Sequence, residues 1–374
     1  MGGLKIMINI ERMEATHALL SEYGWDFLVI ANPADFFWLT GCKMVGPGRF
    51  SALILTREPV DARKPHAIIP NLATAQVNMI RDNIVLHVWK DGTDPIRLLH
   101  ACVNDHGARE VAVSGGLWSQ HLLQLQAIAP YLAIVDASYA LASLRARKDS
   151  HEIGHIREAC ARLESALFST LRDGVIGRTE ADIARTLFKN MIKEDLSILG
   201  GWIEFATGAN SADPTHTFID KVVKEGDPLL IDWGATYKGY YGDLCRTPVA
   251  GHPSDQFVRL YSSVRDIMDR VMDACVSGRT YGDLDKAYQD AVYAHGYDDH
   301  HIHRLGHGIG LVAHDAPFLQ VGNRSLLEKS HTFTLEPGIY VEGVMGARIE
   351  HNLVFDGTRA RKLDTGSIDL WCVN

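Results

Sequence analysis

An α/β domain followed by a larger α+β domain is the fold class this sequence predicts, and three observations carry the prediction. The first 140 residues alternate helical stretches with strand-sized apolar segments, as an α/β layer domain does. Composition then shifts over 143–150, where a charged run opens a long amphipathic helix. Beyond it, long helices alternate with short β pairs, which indicates α+β rather than a parallel doubly wound sheet. The chain of 374 residues is long enough for two domains. The boundary falls near 145, giving domains 1–145 and 146–374.

Residues 11–23 read as a helix, FLVIA (27–31) as a strand, and SALILT (51–56) and HAIIP (66–70) as further short strands. EVAVSG (110–115) follows a helical stretch, and a helix near 117–127 leads to YLAIVDA (131–137). GPGR (46–49) is a glycine–proline turn, without the preceding strand and following helix that a phosphate loop needs. Asp149 with Glu152 three residues later is a capping box, and Ile153, Ile156, Ala159, Leu163 and Leu167 follow at helical spacing. Long helices are predicted over 150–172, 179–194, 254–276 and 282–295. The sequence carries no internal repeat or low-complexity tract visible by eye.

Composition excludes several functions. With 46% hydrophobic and 22% charged residues, the chain has the balance of a globular enzyme or binding protein. No apolar run approaches the roughly 18 residues of a membrane span. MGGLKIMINIERMEA has no long apolar core before its charges, so no secretory signal is expected, and Ile6 breaks the myristoylation pattern. Net charge is −9, and the basic residues are scattered apart from Arg145, Arg147 and Lys148, so neither nucleic acid nor membrane is an expected partner. Six cysteines without a CxxC indicate neither a disulfide framework nor a thiolate zinc site; reduced, buried thiols in a cytoplasm are expected.

Chemistry concentrates in the second half. PLLIDWGATYKGYYGDLCRTP reads as a hairpin, and a turn centred on Tyr237–Lys238 places Asp232 directly opposite Asp243, with β-carbons about 5 Å apart. In HTFTLEPGIYVEGVMGARIEHNLVF, a turn centred on Gly343 sets Glu336 opposite Glu350. Facing acidic pairs inside apolar strands repel and lose hydration, so unless they face solvent at strand edges they are protonated or enclose a cation. A pair of divalent metal ions, bridged across roughly 3.5–4 Å, answers that need. In DDHHIHRLGHGIGLVAHDAPF, glycines flank His307 and let the backbone approach a crowded site, and a neutral imidazole would complete a mixed nitrogen–oxygen set. GHGIG lacks GxGxxG spacing and a leading strand, so it is no dinucleotide loop. His300, His301 and His303 read as surface residues.

IDWGATYKGYYGDLCRT, GHGIGLVAHDAP, TLEPGIY and ARIEHNLVF resemble, in order and spacing, the signature blocks of the pita-bread metallopeptidases: Xaa-Pro dipeptidases (prolidases) and Xaa-Pro aminopeptidases, with methionine aminopeptidases and creatinase as relatives. The resemblance covers most of 145–374, and the earlier half is similar to the creatinase-type N-terminal domain. It implies Asp232, Asp243, His307, Glu336 and Glu350 as ligands of two divalent ions, manganese foremost, with cobalt, zinc or iron also suited. Asp243 and Glu350 would bridge both ions. It further implies contact of His314 with the scissile amide or its tetrahedral intermediate, a supporting, substrate-binding role for Arg348, and a homodimer in which a neighbour's N-terminal domain caps the site. One block departs: where the family has histidine after proline, TGANSADPTHT has Thr215, and His216 comes one residue later. A shifted loop would let His216 reach the substrate.

These residues support hydrolysis by a hydroxide bridging the metals, with Glu336 as base and His314 steadying the oxyanion. Xaa-Pro peptides are the expected substrates. The Thr215–His216 departure keeps open a small non-peptide amide or a zwitterionic osmolyte, by hydrolysis or by a lyase reaction. A non-catalytic interaction module is the remaining reading, and the intact ligand set weighs against it.

Overall fold

The computed structural model describes residues 8–44, 48–58, 64–104 and 107–374. Segment 1–7, within which the myristoylation pattern falls and where the stretch read for a leader begins, and residues 46 and 47 of the GPGR turn lie outside the described residues. The chain divides into two compact units, Met1–Arg145 and Ala146–Asn374.

The first unit is built on six strands: β1 (Phe27–Ile30), β2 (Ala52–Thr56), β3 (His66–Pro70), β4 (Val85–Trp89), β5 (Glu110–Val113) and β6 (Ala133–Asp136). They form one mixed sheet in the order β4-β3-β2-β1-β5-β6, antiparallel across β1–β2–β3 and parallel elsewhere. Helices α1 (Ile10–Tyr23), α2 (Pro33–Thr40), α3 (Pro95–Asn104), α4 (Ser119–Ile128) and α5 (Ser138–Ala146) accompany the sheet, and the last residue of α5 opens the second unit. Asn9 and Asn32 cap α1 and α2 by accepting from the Arg12 and Ala34 amides, and Pro33 stands in the first turn of α2. Phe27, Val29, Ile54 and Ile68 from the sheet meet Ile96, Leu99 and Leu125 from α3 and α4 in one buried core.

The second unit runs α6 (Ser150–Leu171), α7 (Glu180–Lys193), β7 (Ser197–Thr207), β8 (Leu229–Tyr237), β9 (Tyr240–Arg246), β10 (Val249–Ala250), α8 (Asp255–Ala274) and α9 (Tyr281–Ala294). Short strands follow: β11 (Gly306–Gly308), β12 (Asp315–Leu319), β13 (Thr332–Leu335), β14 (Gly338–Val341), β15 (Met345–Arg348), β16 (His351–Phe355), β17 (Ala360–Lys362) and β18 (Cys372–Val373). The capping box of α6 forms as read, with the Asp149 carboxylate on the Glu152 amide and the Glu152 carboxylate on the Asp149 amide. Ile156, Ala159, Leu163 and Leu167 bury its apolar face. Helices α6 and α7 cover the antiparallel sheet β7-β8-β9, and α8 and α9 share a core with β13, β14, β15 and β16. A helix pair with an antiparallel sheet thus occurs twice in succession, a repetition of architecture that no sequence repeat announced.

Two hairpins set the site. In β8–β9 the turn residues are Lys238 and Gly239, both with positive φ (50° and 92°), and Tyr237 faces Tyr240. That two-residue primed turn matches the strand twist and falls one residue later than expected. Asp232 therefore faces Cys245, and Asp243 faces Gly234. The slip is two residues, so the aspartates keep one face but stand diagonal rather than directly opposite. The Gly343 register holds on both sides of residues 336 and 350: Gly338 faces Arg348, and Leu335 faces His351. Between the two ladders the Glu336 amide bonds Leu305 O, and the Glu350 amide bonds Cys245 O on β9. This exchange of partners delivers both glutamates to the β8–β9 aspartates.

Candidate metal centre

His307 lies on β11 at a bulge, where pairing with β12 shifts between His307 and Gly308. The flanking glycines serve close approach: a Cβ on Gly306 would stand 2.2 Å from Thr334 O, and one on Gly308 2.6 Å from Ala316 O. Nδ1 of His307 lies 3.1 Å from Gly308 O, an acceptor, and Nε2 turns to the carboxylates. Nε2 is 3.3 Å from Glu336 Oε1 and 3.6 Å from Asp243 Oδ2.

Oxygen ligands gather around it. One ligand atom each from Asp232, Asp243 and Glu350 lie within 4.8 Å of one another, and so do atoms of Asp243, His307 and His314. Asp243 belongs to both groups. Glu350 is 1% exposed, and neither of its carboxylate oxygens has a hydrogen-bond partner among the described residues. A buried carboxylate without a donor is a cost that native folds avoid unless a cation serves it. Burial, with Asp232 and Glu336 close by, pushes the Asp243 carboxyl well above the usual range. Burial and the Asp243 charge push Glu350 the same way. Glu336 moves oppositely: against burial, the His307 contact with His303 and Arg348 holds its carboxyl down to about 2. The cluster carries more negative charge than its protein neighbours neutralise, and its donors are those a hard divalent cation takes.

Asp232 is oriented by two donors, Trp202 Nε1 at 2.7 Å on Oδ1 and Arg348 Nη2 at 2.6 Å on Oδ2. The Trp202 ring packs over Gly234, where a Cβ would stand 2.2 Å away. Arg348 is itself gripped by Glu204 Oε2 at 3.1 Å and Tyr340 OH at 2.8 Å. Burial and the neighbouring Asp232 raise Glu204 to about 7.

A cavity of about 640 Å³ opens over these groups. Asp232, Asp243, His307, Glu336, His314 and Arg348 line it, and Glu350 stands beside Asp232 and Asp243 behind that wall. The His314 ring tilts against His307 with centroids 4.1 Å apart, and burial and His307 lower its pKa, so it is neutral near pH 7. His216 has another place. Its Nε2 is 2.9 Å from Glu180 Oε2 and 3.2 Å from Asn210 Nδ2, while the cavity wall takes Pro214 and Thr215. Sequence reasoning missed Trp202 and Glu204, which β7 brings beside Asp232, and also His303. Half-buried, His303 lines the cavity with Nε2 2.9 Å from Tyr340 OH. The alternation of WIEF, Trp202 to Phe205, was the available signal for the first two; nothing distinguished His303 from its neighbours.

Buried carboxylates and imidazole around a cavity, on an α+β unit that follows an α/β unit in the chain, are the donor set of a metal-dependent hydrolase. Comparison with known proteins gives the family. Residues 154–356 match metallopeptidase family M24, and residues 12–147 match the creatinase/prolidase N-terminal domain. The chain is 31% identical over 347 residues to the probable dipeptidase PepE of Mycobacterium tuberculosis, covering 92% of this chain and 91% of that protein. It is 26% identical to the Xaa-Pro dipeptidase of Pyrococcus furiosus, covering 94% and 97%. The crystal structure of X-Pro aminopeptidase from Thermotoga maritima superposes with a TM-score of 0.83 at 29% identity, over 96% of this chain and 99% of that one. The chain belongs to metallopeptidase family M24: its second domain has the pita-bread fold, a creatinase-type domain precedes it, and divalent metal ions go with the family.

Proposed function

We propose that this metallopeptidase holds two divalent cations among Asp232, Asp243, His307, Glu336 and Glu350 and cleaves Xaa-Pro bonds in short peptides. Glu350 carries the reading: a buried carboxylate, without a donor among the described residues, has a ligand atom within 4.8 Å of those of two aspartates. Membership of Asp243 in both ligand groups supports two ions, since a shared ligand belongs between them. The relatives named Xaa-Pro dipeptidase and X-Pro aminopeptidase support the bond cleaved. Oxygen-rich donors with one histidine suit manganese; cobalt, zinc and iron are also compatible.

The bound cations would supply Lewis acidity and lower the pKa of a water from about 15.7 towards 7. The chain's own groups do the rest. Glu336, ionised and facing the cavity, accepts the proton of the attacking water and returns it to the leaving nitrogen. His314 is neutral and donates a ring N–H to the developing oxyanion. Arg348 acts by fixing Asp232 and Glu204. His216 secures Glu180 beneath the 208–216 loop and leaves Thr215 to face the substrate.

Thr215 is also the observation that favours a second reading, a small non-peptide amide or zwitterion, because it stands on the cavity wall where the resemblance calls for histidine. Manganese-loaded protein tested on Xaa-Pro dipeptides and Xaa-Pro-Yaa tripeptides, beside a chelated control, decides between them. Chelator-sensitive cleavage is expected, and the preferred length separates dipeptidase from aminopeptidase. Silence across the panel, from protein holding its metal, would transfer the assignment to the second reading.

A further inference from the structure

We propose a second metal site, of zinc type, in the first domain, formed by His66, His87 and Cys102. One ligand atom from each of the three lies within 4.8 Å of the others. His87 Nε2 is 3.1 Å from His66 Nδ1 and 3.7 Å from Cys102 Sγ. With zinc–nitrogen bonds of about 2.0–2.1 Å and a zinc–sulfur bond of about 2.3 Å, tetrahedral ligands stand about 3.3 Å apart for two nitrogens and about 3.6 Å for nitrogen and sulfur. Both observed separations match.

The fold supplies the convergence. Strands β3 and β4 pair in parallel with His66 opposite Val85 and Ile68 opposite His87, so both imidazoles leave the same face. Their rings stack with centroids 5.1 Å apart. Helix α3 follows β4 and lays Cys102, 6% exposed, in the core on the sheet. A zinc held by two imidazoles and a thiolate takes a water as its fourth ligand. Without metal, one ring must place a hydrogen between the two facing nitrogens. On binding, that hydrogen moves to the outer nitrogen of its ring, both inner lone pairs turn to the ion, and the thiol releases its proton to solvent. Burial keeps His87 neutral, the form that ligates. Two imidazoles and a thiolate select a borderline ion such as zinc, whereas the oxygen cluster of the second domain suits a hard one. The two sites therefore differ in the metal they prefer. Bound zinc would tie the edge strand β4 to β3 and α3.

The test uses the full chain, loaded with manganese and then titrated with cobalt or zinc. Wild type is expected to develop a near-ultraviolet thiolate-to-cobalt charge-transfer band, which the five oxygen and nitrogen ligands of the other site cannot produce. Cys102→Ser should abolish the band. Both Cys102→Ser and His87→Gln should take up one zinc fewer per chain, with manganese content unchanged. No band in wild type, or zinc uptake equal in wild type and both variants, overturns the site. The wild-type band needs no variant, so the proposal stays testable if either substitution fails to fold.

Discussion

Glu350 and Asp243 show how much of the centre depends on single side chains. Asp243 lies in both ligand groups, so Asp243→Ala should lose most bound divalent metal, read by elemental analysis, and with it nearly all turnover; near-normal turnover would remove the cluster from the chemistry. His314 touches the cavity through its ring, and its neutral state leaves an N–H to donate. His314→Ala should keep metal while lowering kcat by about 10²–10³-fold, the loss expected for one oxyanion donor. His216→Ala should behave differently. Glu180 keeps three other donors, the Thr207 and Ile219 amides and Asn210, so the variant should lose thermal stability with kcat lowered less than tenfold. A hundredfold loss in kcat would put His216 on the substrate. The clustering of Asp232, Asp243 and Glu350 was legible because carboxylates are costly in apolar strands. His216 was not, because which way a loop histidine turns depends on Glu180, 36 residues earlier on another element.

Elements set the register that brings these side chains together, and here the sequence spoke unevenly. Long amphipathic helices and the capping box of α6 announced themselves through period and cap chemistry. Helix α2 did not: five of its eight residues are buried, so no polar stripe marks it. The β8–β9 hairpin was placed one residue early, because Lys238 gives no signal that it will adopt positive φ beside Gly239. On β11, Gly306→Ala should destabilise the second domain by about 1–3 kcal/mol, as overpacking does, since the new methyl meets backbone oxygen. An unchanged denaturation midpoint would contradict the close approach of β11 and β13. His331, entering β13, carries a pH dependence. Burial lowers its pKa from 6.5 to about 4, and its Nδ1 lies 2.8 Å from Tyr281 OH. The folded state disfavours the imidazolium, so this contribution is full above pH 6.5 and is lost as pH falls towards 4, at most about 3 kcal/mol. Stability of wild type should drop more steeply over that window than that of His331→Gln; parallel curves would show the histidine to be accessible.

For the whole molecule, two units with separate cores make metal dependence a local property. The resemblance to Xaa-Pro peptidases also implies a homodimer, so light scattering at micromolar concentration should return about twice the 41.4 kDa chain mass; the mass of one chain would refute that expectation. Calorimetry tests the metal argument more sharply. Ions that bind only the folded centre stabilise it by about 2.7 kcal/mol at a hundred times their dissociation constant. Stripping them also leaves Asp243 and Glu350 buried against one another, which pushes both carboxyls well above their usual range. Manganese-loaded protein free of zinc, treated with chelator, should therefore show the unfolding of 146–374 moving to lower temperature, while that of 1–145 stays in place. Assignment of the two transitions follows from Asp243→Ala, in which the transition of the second domain should no longer move when manganese is added or removed. A chain whose unfolding ignores chelator, from protein shown to have held metal, would mean that the buried carboxylates are satisfied without a cation and that the centre is misassigned.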